Sequence, residues 1–170
     1  MRLKRGFKFL PRLQHFILGL LLVSAGVFFT FSHYQRRMFA QRRIQGAQNL
    51  TDIGHAIHKL ALEHGGRFPE STFEIEERFA SEPVKLFSPS WPLQCYIYVF
   101  GAQSTDDAAR TVLVYENVPG DKRKLGRQVL FLDGGVKVLS ESEFEALIAA
   151  QQSRRKESGR GAWRTREITK

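Results

Sequence analysis

The side chains whose chemistry could matter most lie in three places. His55, His58, Glu63 and His64 crowd one short stretch and are residue types that bind zinc. On a helix, however, His64 points about half a turn away from His55, and zinc ligands must converge within about 2 Å of one point. A solvated helix face is the expectation. Cys95 is the only cysteine, so an internal disulfide and a Cys-rich zinc cluster are both excluded. Its apolar setting reads as a small buried hydrophobe rather than as a reactive thiol or an intermolecular bridge. Asp133 could be catalytic or bind calcium, but a lone acid beside Gly134 serves as the cap of its own turn. No nucleophile elbow, phosphate loop, paired-carboxylate motif or metal-ligand spacing occurs, and catalysis requires positioned groups of that sort. The expectation is a non-enzymatic protein with no catalytic residues, no metal, no cofactor and no small-molecule substrate.

The element that must carry these residues runs over 16–64. No Lys, Arg, Asp or Glu stands between Leu13 and Tyr34. An uncharged helix of that length crosses a hydrocarbon core of roughly 30 Å. Residues 16–34 are therefore expected to be the transmembrane part of a helix, since lipid-embedded amides must be satisfied internally. Nothing up to His64 obliges that helix to stop. Past the run, Ile44, Ala47, Leu50, Ile53, Ile57, Leu60 and Ala61 recur every three or four residues, which is the stripe of a helix packed on a domain.

The formal charge of +9 is unevenly divided. Residues 1–43 hold nine Lys/Arg and no acid, residues 44–152 ten against fifteen, and residues 153–170 seven against two. Basic flanks around an apolar helix suit anionic lipid headgroups, whereas a nucleic-acid binder places its charge on the folded surface, so membrane lipid is the expected partner and nucleic acid is not. A cleavable signal peptide would also explain 1–31, but the run is long for one and Ser32-His33-Tyr34-Gln35 offers no small-x-small site. Five basic residues precede the run and four follow it (Arg36, Arg37, Arg42, Arg43), so the positive-inside count is nearly balanced. The free amino terminus favours an inside N-terminus.

Gly65-Gly66 ends the helix. A short mixed segment at 71–79 and a proline-punctuated loop at 82–92 follow. Residues 94–100, 111–115, 129–132 and 135–139 are β-branched or aromatic-rich strands. Asp133-Gly134 between two of them predicts a hairpin with positive φ at its centre. Ser140-Glu-Ser-Glu143 is a capping box opening a helix over 141–152, with Phe144, Leu147 and Ile148 buried. Residues 153–170, basic and poor in apolar area, are expected to be a disordered tail, with Trp163 against a headgroup, a partner or solvent. The organisation is thus a basic segment over 1–15, the membrane part over 16–34, a soluble domain over 35–152 and the tail over 153–170.

The order Gln48-Asn49-Leu50-x-x-Ile53-Gly54-x-Ala56, Leu60 to Glu63, Gly65-Gly66-Arg67-Phe68-Pro69, Val129-Leu-Phe-Leu-Asp-Gly-Gly-Val136 and Ser140-Glu-Ser-Glu-Phe-Glu-Ala-Leu147 resembles the prepilin-like families, specifically the pseudopilins similar to type II secretion protein G. The resemblance covers about residues 16–150. It implies an α+β, pilin-like fold: a long N-terminal transmembrane-plus-amphipathic helix packed on a small antiparallel sheet, with a short C-terminal helix. It also implies a bacterial inner-membrane protein with a periplasmic soluble domain, working as a structural or accessory subunit of a type II secretion or type IV pilus-like envelope assembly. Such proteins assemble through their apolar helices, here with Gly19, Ser24 and Gly26 permitting close approach of a helix from another copy or another pilin-like subunit. The family's processing site is a basic residue and Gly, then Phe-Thr-Leu-Ile-Glu. Arg5-Gly6-Phe7 matches its start and makes Gly6 and Phe7 the implied processing residues, but Pro11 stands where the glutamate would be and the apolar run begins only at Phe16. Gly135 departs too, where many relatives carry histidine. These departures argue against cleavage and polymerisation. The competing expectation is a membrane-tethered binding module whose basic tail engages anionic lipid, polysaccharide or nucleic acid.

Overall fold

A computed structural model describes residues 10–91, 94–103, 106–157 and 165–168, and Gly6, Phe7 and Trp163 lie outside them. It is α+β: a long N-terminal helix, an antiparallel sheet and a short C-terminal helix. The chain divides into two compact units, Met1–Gln41 and Arg42–Lys170. The helix α1, Leu10–Glu63, contributes to both.

In the first unit α1 is apolar all round over 16–31, and its large side chains from Phe16 to Phe31 are 48–74% exposed. In the second unit the pattern is periodic, and Leu50, Ile53, Ile57, Leu60 and Ala61 are buried as their spacing predicts, while Ile44 stays exposed. The helix stops by a glycine device. Gly66 N–H reaches back to Ala61 O at 2.7 Å and Gly65 N–H to Leu62 O at 3.3 Å, with φ of +87° and +66°. This is the six-to-one and five-to-two pattern that satisfies the last carbonyls, and it needs the left-handed conformation glycine tolerates.

A short helix α2, Thr72–Arg78, follows, capped by the Ser71 hydroxyl accepting from Phe73 N–H at 3.1 Å. The sheet contains β1 (Tyr96–Val99), β2 (Val112–Glu116), β3 (Arg127–Phe131), β4 (Val136–Leu139) and β5 (Thr165–Glu167), ordered β4-β3-β2-β1-β5 with every pairing antiparallel. The helix α3, Glu141–Glu157, lies between β4 and β5 in sequence.

Period-two alternation sorts the strands between two cores. Tyr96, Tyr98, Leu130 and Leu132 join Leu50, Ile53 and Ile57 of α1 and Ile75 of α2 on one face. Val99, Val112, Val129 and Phe131 meet Phe144, Leu147 and Ile148 of α3 on the other. A register shift between Val112 and Val114 marks a bulge, and it turns both Leu113 and Val114 toward the α1 side. Gln151 of α3 pairs with the backbone of Val112, beyond the last residue that β1 pairs on β2. Its side chain accepts from Val112 N–H at 2.9 Å and donates to Val112 O at 3.3 Å.

Two expectations are corrected. The hairpin loop is Leu132-Asp133-Gly134, three residues rather than two, because Phe131 N–H pairs with Gly135 O at 2.9 Å. Gly134 alone then supplies the left-handed position, at φ +83°, and Asp133 Oδ1 caps Gly135 N–H at 2.8 Å. The second correction concerns the tail, expected to be disordered throughout 153–170. Helix α3 continues to Glu157, and 165–167 form an edge strand on β1, followed by a fully buried Ile168. The composition argument weighed the segment by itself, and a segment too polar to make a core can still add to an existing sheet edge.

Candidate functional site

Two features stand out, one in each unit. The first is the apolar surface of α1. His15–Glu63 is long and apolar enough to cross a membrane, and its most apolar stretch buries nothing within the protein. A Cβ built on Gly19 or Gly26 would touch nothing within 4 Å, so neither glycine is required by packing inside the chain. The hydroxyls of this stretch are turned back onto the helix: Ser24 donates to Leu21 O at 2.9 Å and Thr30 to Val27 O at 2.9 Å. Their polarity is thereby satisfied within the element, the condition for placing a hydroxyl in hydrocarbon.

The second feature is a buried polar cluster in the Arg42–Lys170 unit, at the end of the interface between α1 and the sheet. Glu116 has no exposed surface. Its Oε2 accepts from Arg43 Nη1 at 2.8 Å and from Gln128 N–H at 2.9 Å, and its Oε1 from the Ser88 hydroxyl at 2.8 Å. Gln128 donates through Nε2 to Arg43 O at 2.7 Å, and the Tyr96 hydroxyl donates to Gly46 O at 3.2 Å. Strands β1, β2 and β3 therefore each hold one turn of α1 through hydrogen bonds that fit a single register. The approach is close. A Cβ at Gly46 would lie 2.4 Å from Gln128 Oε1, and one at Gly54 would lie 3.1 Å from both Leu130 methyls. Burial pushes the Tyr96 phenol well above its ordinary value, and the neighbouring Glu116 carboxylate adds to the rise. Tyr98, whose hydroxyl donates to Pro69 O at 3.1 Å, is raised for the same first reason.

Sequence reasoning counted Arg43 among the basic residues flanking the membrane run and gave Glu116 no role. The pair is 73 residues apart, so no local pattern announces it. The one local signal is an acid at the end of an otherwise apolar strand. On the opposite face Arg127 is similarly enclosed. It forms a two-point contact with Glu141 at 2.8 and 3.2 Å, donates to Glu116 O at 3.0 Å, and lies 4.2 Å from the Phe144 ring centre.

The remaining candidate residues do not converge. His55 is exposed, His58 stands edge-on to Phe68 at 5.7 Å, and His64 Nδ1 lies 3.5 Å from Glu74 Oε2. Among the described residues no group of three His, Cys, Asp or Glu side chains could hold a metal ion. Cys95 is buried. Asp133 and Gly134 form the hairpin turn. Shallow clefts beside His64 are lined by Glu63, Glu74, Glu77 and Arg78 on one side and by Arg67, Phe68 and Glu70 on the other. No protein-family model, curated protein or solved structure matches this chain.

Proposed function

We propose that this is a non-enzymatic, single-pass membrane protein, a pseudopilin-like structural or accessory subunit of a type II secretion or type IV pilus-like envelope assembly. One observation carries the reading: a single helix, Leu10–Glu63, is apolar and exposed over its first part and is the packed spine of an α+β domain over its last. In this reading residues 16–34 lie in the inner membrane, the soluble unit is periplasmic, and the working surface is the apolar helix meeting lipid and the helices of other copies or other pilin-like subunits. Gly19, Ser24 and Gly26 would set the closest approach, because a helix pair in lipid gains from backbone proximity rather than from excluding water. The buried cluster at Arg43 and Glu116 has a supporting role here: it fixes the register of the spine on the sheet.

The departures at Pro11 and Gly135 favour an accessory subunit over a polymerising one. The competing role, a tethered module with a free basic tail, is weakened because 165–168 are committed to the sheet and Arg154 donates to Arg110 O at 3.0 Å.

The test is to express the full chain in a Gram-negative host, extract it from membranes, and determine its N-terminal mass and its helix contacts. A mass retaining Met1, together with disulfide cross-linking of Gly19→Cys or Gly26→Cys copies in a Cys95→Ser background, is the expected result. Cleavage after the apolar run would make 1–31 a signal peptide and refute the reading. Absence of cross-links at every position from 16 to 31 would refute the assembly surface.

A further inference from the structure

β5 has only three residues, with Ile97 opposite Glu167, Tyr98 opposite Arg166 and Val99 opposite Thr165. Ile168 N–H extends the ladder by donating to Tyr96 O at 2.9 Å, and the Ile168 side chain is fully buried in the core with Leu50, Tyr96 and Tyr98. In sequence, β5 is joined to α3 through 158–164. Withdrawing it would break one ladder and empty one apolar socket, while β4, β3, β2 and β1 keep their mutual pairings. β1 would then be an edge with unpaired N–H and C=O groups beside a socket shaped by an isoleucine. That is the form of site that takes an extended peptide as an added strand.

We propose that the β1 edge and the Ile168 socket are a strand-receptor site whose second occupant is the 165–168 segment of another copy, so that copies link by exchanging C-terminal strands. The fitting ligand is the segment already seated there: extended, with an aliphatic anchor after a three-residue ladder. Identical chains carry identical sockets and anchors, and an exchanged strand reproduces each bond of the internal one, so exchange is nearly neutral in contacts. The seven residues 158–164, including Gly159 and Gly161, span on the order of 25 Å when extended, so the anchor can reach sockets other than its own. Strand exchange requires nothing of the apolar helix and would supplement any contact made there.

The experiment uses the full chain in detergent, in a Cys95→Ser background. One tagged copy carries Ile97→Cys and a differently tagged copy carries Glu167→Cys, positions opposite each other in the ladder. After mixing and mild oxidation, a disulfide-linked pair bearing both tags is expected. Adding Ile168→Asp to the Glu167→Cys copy should lower its yield roughly tenfold or more, as loss of a buried isoleucine implies. The proposal is overturned if no mixed pair forms while the double variant I97C/E167C closes its own disulfide, or if the pair forms equally well with Ile168→Asp. A labelled peptide of residues 161–170 provides the second measurement. It should bind the full-chain Ile168→Asp variant and bind the unmodified chain roughly tenfold less, because there the socket is filled. Equal binding to the two, or no binding, counts against the site. Helix-mediated dimers without the mixed disulfide would leave the proposed function standing and remove only this strand-exchange site.

Discussion

The two parts of α1 are built from similar apolar residues and meet opposite fates. Phe16, Leu20, Val23 and Phe28 are 62–73% exposed, whereas Leu50, Ile53 and Ile57 are completely buried. The first set is surrounded by more apolar residues, so no polar face tells a protein core where to bind. The second alternates with Asp52, His55 and Lys59, so one stripe alone seeks burial. Hydrophobicity summed over a helix does not distinguish these cases. Its angular distribution does, and the comparison teaches that one continuous element can carry an outward-facing apolar stretch and a packed spine by pattern alone.

The comparison is broken most severely by stranding a charge. Glu116→Ala leaves the half-buried Arg43 with only the Gly126 carbonyl at 3.4 Å and removes the acceptor of the Ser88 hydroxyl and of Gln128 N–H, and should cost about 3–5 kcal/mol in urea unfolding of the full chain in detergent. Joint replacement by Arg43→Met and Glu116→Leu should recover the part of that loss that comes from the charge, since a buried ion pair often does no better than an apolar pair of similar volume, while the Ser88 hydroxyl and Gln128 N–H still lack their acceptor. Slightly smaller is the contrast between the two sets of leucines. Leu50→Ala should cost about 2–5 kcal/mol by transfer and cavity effects, while Leu20→Ala should leave the unfolding midpoint of the Arg42–Lys170 unit unchanged. Gly46→Ala should cost about 1–3 kcal/mol because its methyl meets Gln128 Oε1, whereas Gly26→Ala should weaken only helix cross-linking.

The pH responses are smaller and have opposite signs. Tyr96 and Tyr98 hold their protons more tightly when folded than when unfolded. Their contribution is therefore intact below the ordinary phenol value of about 10 and is lost as the pH rises beyond it. Tyr96→Phe should cost about 1 kcal/mol at neutral pH and flatten that alkaline decline. Glu143 is held below the usual carboxylate range by the Ser140 hydroxyl and then by the Ser140 amide, so the stability it lends α3 is present at neutral pH and is lost as the pH falls through the acid range. Glu143→Gln should remove that acid-side dependence, read by helix content against pH.

Features set by neighbours in sequence were legible before the structure. Gly65-Gly66 stops α1, Asp133-Gly134 turns the hairpin, and Ser140 and Glu143 cap each other, with Ser140 N–H donating to Glu143 Oε2 at 2.8 Å. The stripe from Leu50 to Ala61 was equally plain. The Arg43–Glu116 contact was not, because it joins a helix to a distant strand and each partner looks ordinary in its own surroundings. Ile168 was overlooked for a related reason: one aliphatic residue in a basic tail carries no periodicity, and its burial depends on a socket made by other elements. Gln151 carried no signal in the sequence, since nothing local reveals that the backbone of Val112, 39 residues away, takes both of its partners from this amide.

The central claim is that residues 16–31 face lipid while the rest of α1 serves a folded domain in water. Thiol accessibility in native membranes tests it most directly, using single-cysteine variants in a Cys95→Ser background and a charged maleimide reagent. Leu20→Cys, Val23→Cys and Phe28→Cys should resist labelling until detergent is added, while His55→Cys on an opened membrane labels at once. Labelling of the first three as rapid as that of His55→Cys would contradict the account.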